Sequence, residues 1–340
     1  MARALAIVGM VMVHFGPTGV PDAPELTELV YGGTHGRAAI LFGLLAGVGV
    51  SLLAGDRSPE RRRRTYAQLA YRAAILLPLG FFLQDLEMDV AVILHFYAMY
   101  FLLAGAVIRL SDRALLGMLA ASLVVGPPLL LGLEMAHQDW FAGPAVSGLV
   151  SPVVAVRELV LSGNYPLVTW AAPVLFGLWI GRRDLRSGRT RWVLGVAGAV
   201  VAVAAYATSS VLTGIVTPPE DGAAWELLVS TEPHSQMPLW LIEATATATA
   251  VLGLCLMVSD RLPRATWPLA AMGQLAFTIY VAHIVLLTLV PDLLVGDTVE
   301  EASWLVARFT VVVAAFAVLW RAVAPRGPLE LLLHPPWRWR

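Results

Sequence analysis

Apolar residues run in long blocks along the chain, and polar residues collect in the short intervals between them. About twenty apolar residues cross a bilayer, so the pattern predicts about ten membrane helices. They are expected near 2–15, 37–54, 66–84, 90–109, 114–133, 166–182, 191–212, 238–258, 267–289 and 302–323. The fold class is therefore all-α, a polytopic integral membrane helical bundle. The first segment, Ala2 to Phe15, is short for a crossing before Gly16-Pro17 stops it. Either it ends part-way or the true start lies upstream of Met1. The stretch from Pro152 to Leu161 is too short to cross and is expected along the outer interface. Trp140, Trp225, Trp240, Trp267 and Trp304 fall near segment ends, where amphipathic rings suit the headgroup level.

Charge gives the bundle a direction. Arginines collect in "GDRSPERRRRTYAQ", "RLSDR", "GRRDLRSGRTR", "SDRLPR" and the tail from Arg321, whereas the alternate intervals are acidic. Arginine-rich loops face the cytoplasm. Both termini are expected there, with outer loops at 16–36, 134–165, 213–237 and 290–301, a cytoplasmic tail at 324–340, and one domain over 1–340. Composition agrees: 58% of the 340 residues are apolar and 14% are charged, against about 25% charged in a soluble domain. Net charge is −1, which gives no field for nucleic acid. The single cysteine, Cys255, excludes an intrachain disulfide and reads as a small core residue. The first apolar run lacks a small-residue cleavage site, so it stays in the protein.

Six of the seven histidines fall at or beyond the outer half of the predicted membrane: His14, His35, His95, His137, His234 and His283. Ionisable residues at such depth point to a function or a partner. No His-x-x-x-His or His-Glu-x-x-His pair occurs, so His35, His234 and His283 could meet a metal only through tertiary folding, and no metal is expected. Gly-x-Ser-x-Gly is absent, and "LAGVGVSLLAG" lacks the lysine of a phosphate loop. Acid–base work by histidine remains, since its pKa near neutrality suits proton removal from a hydroxyl or amine.

The arginines complement it. Arg3 and His14 are eleven residues apart, about three turns, so they lie on nearly the same helix face roughly 16 Å apart. Arg3 and Arg72 sit cytoplasm-side and suit the phosphates of an activated acyl donor, whereas Arg37 is on the outer side. Glu243 and Arg308 lie at similar depth and are expected to pair. In "MGQLAFTIYVAHIVLL", Gln274 and Thr278 are four apart on one face, and Tyr280 and His283 share nearly the opposite one. A helix polar on two faces belongs inside the bundle.

"RALAIVGMVMVHFG" resembles the first helix of the transmembrane acyltransferase superfamily. "HGRAAILFGLLAGVGVSLL", "NYPLVTWAAPVLFGLWIGR", "LAAMGQLAFTIYVAHIVLL" and "RGPLELLL" are similar to the YeiB-like bacterial branch, related to heparan-alpha-glucosaminide N-acetyltransferase and to bacterial glycan O-acyltransferases. The resemblance implies acyl transfer from cytosolic acyl-coenzyme A, such as acetyl-coenzyme A, to a sugar or other small acceptor at the extracytoplasmic side. By position it implies His14 as base with Arg3 as partner, and His35 as the counterpart of the base in the glucosaminide branch. Arg3 and Arg72 would hold the donor, and Arg37, His95, His234, Tyr280 and His283 would line the acceptor site. It implies no permanently bound cofactor and a multi-pass protein of the bacterial plasma membrane, in contact with membrane lipid, and it admits a homodimer. Two other functions fit the residues: a small-solute transporter or exporter with a histidine proton relay, and a non-catalytic envelope partner.

Overall fold

The computed structural model describes residues 1–16, 31–55, 59–86, 90–141, 151–219 and 222–335. Helices cover every apolar segment, with no strand among the described residues. In chain order they are α1 (Ala2–Phe15), α2 (Arg37–Ala54), α3 (Pro59–Gln84), α4 (Leu94–Val107), α5 (Asp112–Ala136), α6 (Pro152–Arg157), α7 (Leu167–Ile180), α8 (Gly188–Val216), α9 (Pro238–Arg261), α10 (Trp267–Gln274), α11 (Ala276–Leu289), α12 (Pro291–Leu294) and α13 (Val299–Val323). Six helices are long and apolar enough to cross a membrane, or eight if each of two bent pairs is one span. The apolar helices α1 and α4 are shorter, at 14 residues each.

Peripheral and central helices differ in what they face. Along α8 and α13, valines such as Val203 and Val311 are about two-thirds exposed, a surface that suits lipid rather than water. The helix α9 is central, burying Leu241, Ala244, Ala248 and Leu252. Small residues set a close crossing between α2 and α7. A Cβ at Gly47 would strike the Val174 carbonyl oxygen, and one at Gly177 would strike that of Leu44. The two "Leu-Phe-Gly-Leu" segments thus pack on each other, backbone to backbone, as helices do where lipid offers no hydrophobic drive.

A break in the ninth apolar segment departs from expectation. Helices α10 and α11 meet at Leu275 with a bend of 76°. Gln274 and Thr278 therefore do not share one helix face. The break leaves orphan backbone donors at the start of α11, and the C-terminal segment returns to satisfy them. Glu330 accepts from Phe277 N (2.8 Å), Thr278 N (3.1 Å) and Thr278 Oγ1 (2.5 Å), and Leu329 N donates to Thr278 Oγ1 (3.0 Å). A carboxylate there also complements the helix dipole.

Two further expectations are corrected. Glu243 pairs with Arg37, not Arg308: Arg37 Nε donates to both carboxylate oxygens at 2.9 and 3.1 Å. Thr247 donates to the same carboxylate at 3.0 Å, and Arg37 Nη1 donates to the Gly32 carbonyl at 3.1 Å. Trp240 is not an interfacial ring. It is fully buried against Trp170 and His234, because the loop before α9 folds over it. Cys255 is buried, as a small core residue should be.

The Arg37–Glu243 pair clamps α2 to α9, with side chains 16% and 8% exposed. Removing one partner leaves a buried charge uncompensated. Arg37→Met is expected to cost about 3–5 kcal/mol in unfolding free energy, and adding Glu243→Met should recover most of it. Thermal unfolding in detergent, comparing the two single variants with the double, measures this.

Candidate active site

At one end of the bundle a cavity of about 640 Å³ opens among Arg3, Arg72, Arg326 and His334. Its walls turn apolar inward, through Phe42, Leu45, Leu76 and Phe101, and its inner lining includes Met10, Ile93, Tyr97 and Tyr280. On α1, Arg3 and Met10 both line the cavity, and His14 lies on the same face, four residues or about 6 Å beyond Met10. On α11, Tyr280 lines the cavity and His283 follows three residues on. The two faces converge there. His14 Nδ1 and His283 Nε2 are 3.0 Å apart, and the rings stack with centroids at 5.2 Å.

Hydrogen bonding fixes the protons of this pair. His283 is fully buried, and its Nδ1 lies 3.3 Å from the Ile279 carbonyl oxygen, which can only accept. His283 Nδ1 therefore carries hydrogen, and in the neutral ring Nε2 is the acceptor. His14 Nδ1 must then donate to it. The lone pair of His14 resides on Nε2, which makes no hydrogen bond among the described residues. Such a nitrogen is a base with a defined direction. Tyr280 closes the constellation: its ring is edge-on to His283 at 5.0 Å, and its hydroxyl accepts from Ile93 N at 3.1 Å. With that lone pair engaged, the phenolic proton is available to an acceptor in the cavity.

The remaining candidates divide into two groups. His35 and His234 lie beyond the imidazole pair with ring centroids 6.5 Å apart, within electrostatic reach of His14. His35 packs edge-on to Tyr31, and His234 lies against Tyr165 and Trp240. The His234 loop is held in two left-handed residues, His234 at φ 61° and Gln236 at φ 64°. Such strain persists where neighbours over-determine it. Gln236 is so pinned, accepting from Trp170 Nε1 (2.6 Å) and Thr169 Oγ1 (3.2 Å) and donating to the Asn164 carbonyl (3.0 Å). Arg37 is committed to Glu243. His95 is buried between Phe81 and Phe96, off the cavity wall, so its ring serves packing between α3 and α4.

Arg72 Nε donates to the Leu333 carbonyl at 3.4 Å, tying α3 to the returning tail. Arg326, Glu330 and His334 were not among the residues singled out from sequence. The "RGPLELLL" stretch carries no periodicity that announces a cavity wall. Among the described residues no group of three or more His, Cys, Asp or Glu is placed to hold a metal.

Helices apolar enough to cross a membrane thus enclose a basic-mouthed cavity that runs to within about a turn of a paired imidazole. The chain belongs to the family described as heparan-alpha-glucosaminide N-acetyltransferase, catalytic, whose model matches residues 1–212. A second family model, described as a protein of unknown function (DUF418), matches residues 183–339. The protein is thus a member of the YeiB-like and glucosaminide acetyltransferase-like transmembrane superfamily. No curated protein and no solved structure matches the chain. The cavity straddles the two matches: Arg3, Met10 and Arg72 lie in the first, Tyr280 and Arg326 in the second.

Burial, then the charge of neighbouring His35, depresses the His234 pKa from 6.5 to about 4. Between those values the unfolded chain takes up a proton that the folded loop refuses, so stability present above pH 6.5 is lost as pH falls towards 4. A melting curve series over that range should show the decline. His234→Asn, which tolerates the left-handed backbone, should flatten it.

Proposed function

We propose that this protein is a multi-pass membrane acyltransferase, which moves an acetyl or other acyl group from acyl-coenzyme A to a sugar or other small acceptor. The thioester approaches at the arginine end and the acceptor at the imidazole end. In this reading the bundle has ten spans and both termini in the cytoplasm of a bacterium, because the arginine-rich loops lie on the donor side. Family membership supports acetyl transfer in a membrane. The observation that carries the rest is the alignment of Arg3, Met10 and His14 on one face of α1, with the cavity following that face to within a turn of the imidazole pair.

The chemistry follows from the proton assignment. Arg3, Arg72 and Arg326 meet the phosphates of coenzyme A, and the acyl-pantetheine arm extends along the apolar walls towards Tyr280. His14 Nε2 removes the proton of the acceptor hydroxyl or amine as that atom attacks the thioester carbonyl carbon. The Tyr280 hydroxyl donates to the oxyanion that forms. The intermediate collapses, the carbon–sulfur bond breaks, and the His14 imidazolium returns its proton to the departing thiolate. The products are acylated acceptor and free coenzyme A. His283 holds the His14 ring and its tautomer without touching substrate. His35 and His234 lie further along and form part of the acceptor side.

Purified protein in nanodiscs with radiolabelled acetyl-coenzyme A should bind the donor and hydrolyse or transfer its acetyl group. His14→Ala should lower turnover by about 10²–10⁴-fold with donor affinity little changed. Tyr280→Phe should lower kcat by about 10²-fold or more. Arg3→Gln and Arg72→Gln should weaken donor binding instead. Wild-type protein that neither binds nor consumes acetyl-coenzyme A would sink the assignment.

A further inference from the structure

A second recess, of about 520 Å³, lies away from the cavity, between α12 and the first turns of α13. It stands at the imidazole end, where Gly296 N donates to the Phe15 carbonyl at 2.9 Å. Glu301, Trp304, Leu305 and Arg308 line it at spacings of three, four and seven, a single stripe on α13. Asp292 faces the stripe from α12.

Arg308 is the anomaly. It lies about 14 Å along a helix apolar and long enough to cross a membrane. It is exposed, and it makes no hydrogen bond or ion pair among the described residues. A guanidinium facing hydrocarbon needs an anion, and the anion present at that surface is the lipid phosphate. Side chains on a helix lean towards its N-terminus, so Arg308 reaches back towards Trp304 and the headgroup level. Trp304 is 63% exposed, an indole at the height where such rings anchor. Glu301 comes first along the stripe, one carboxylate oxygen accepting from Asp297 N at 3.1 Å. The order from the interface inward is therefore carboxylates, indole, guanidinium. An amine-bearing phospholipid has the same order in complement: ammonium outermost, phosphate beneath it, acyl chains below.

We propose that this recess is a binding site for a zwitterionic, primary-amine phospholipid of the phosphatidylethanolamine type, with its phosphate on Arg308 and its ammonium between Glu301 and Asp292. The site is independent of the acyl-transfer reading, since none of its residues lines the donor cavity.

The test is native mass spectrometry of the full chain in nanodiscs, titrated with phosphatidylethanolamine, phosphatidylglycerol and, as a chain-free probe, phosphoethanolamine. Phosphatidylethanolamine should bind about tenfold more tightly than phosphatidylglycerol. Arg308→Gln, which removes a charge with no protein partner, should weaken both lipids by about tenfold or more. Glu301→Gln should keep lipid binding but erase the preference for the amine. Equal binding of the two lipids by wild type, or unchanged retention by Arg308→Gln, would overturn the proposal. Phosphoethanolamine binding as tightly as the lipid would also overturn it, in favour of a soluble ligand.

Discussion

A helix that breaks inside an apolar bundle exposes backbone donors that need partners from the chain, and the bend at Leu275 poses that problem beside the cavity. Glu330 answers it from the far end of the chain, capping Phe277 and Thr278. The consequences extend in both directions. Upstream of the cap, α10 lies across the start of α1, placing Gly273 beside Arg3. Downstream, α11 is turned so that Tyr280 meets the cavity and His283 meets His14. The returning tail also brings Arg326 and His334 to the cavity mouth. One carboxylate thus couples the arginine end of the cavity to the imidazole end. An unbroken helix over 267–289 would lack the turn that sets Tyr280 and His283 against α1.

The same demand for in-chain partners shapes the His14–His283 pair. In water a histidine finds hydrogen bonds anywhere, whereas a ring buried in the bundle depends on neighbours within the chain. His283 uses the Ile279 carbonyl of its own helix on one side and His14 on the other. That chain of donors has one direction, and its end is the His14 Nε2 lone pair. Orientation of the His14 ring therefore comes from the backbone of α11, without a carboxylate. For the proposed base a neutral orienting group suits a site with little water nearby, since a carboxylate there would itself need a buried counter-charge.

Where the apolar helices lie was legible in the sequence from the length of apolar runs, whereas the break at Leu275 was not, and six to eight of the ten expected segments are long enough to cross. The Arg3–His14 seam was legible too, since both residues sit on one helix and spacing alone fixes their face. Contacts between distant segments were not. His14 and His283 are 269 positions apart, and Glu330 stands 52 from Thr278. Depth arguments can rank partners for a buried charge but cannot choose between them. Glu243 had Arg308 at similar depth, yet Arg37 took it because α2 packs on α9. Trp240 shows the same limit: position near a helix end suggests an interfacial ring, and only the fold of the preceding loop buries it.

Rigidity of the helix framework is what allows a cavity to persist within it. Where α2 crosses α7, glycine brings backbones into contact and leaves no side chains to rearrange. On the opposite face of α2, Phe42, Leu45 and Gly49 line the cavity, so one helix presents a fixed wall to it and a fixed contact to α7. The Arg37–Glu243 clamp holds the same helix at its imidazole end. The distance from the arginine mouth to the imidazole pair is set within α1 itself: about 16 Å over the eleven residues from Arg3 to His14. In the proposed reaction, a donor gripped at one end of that ruler would have its reactive end positioned by length alone, with few polar contacts needed along the apolar stretch between.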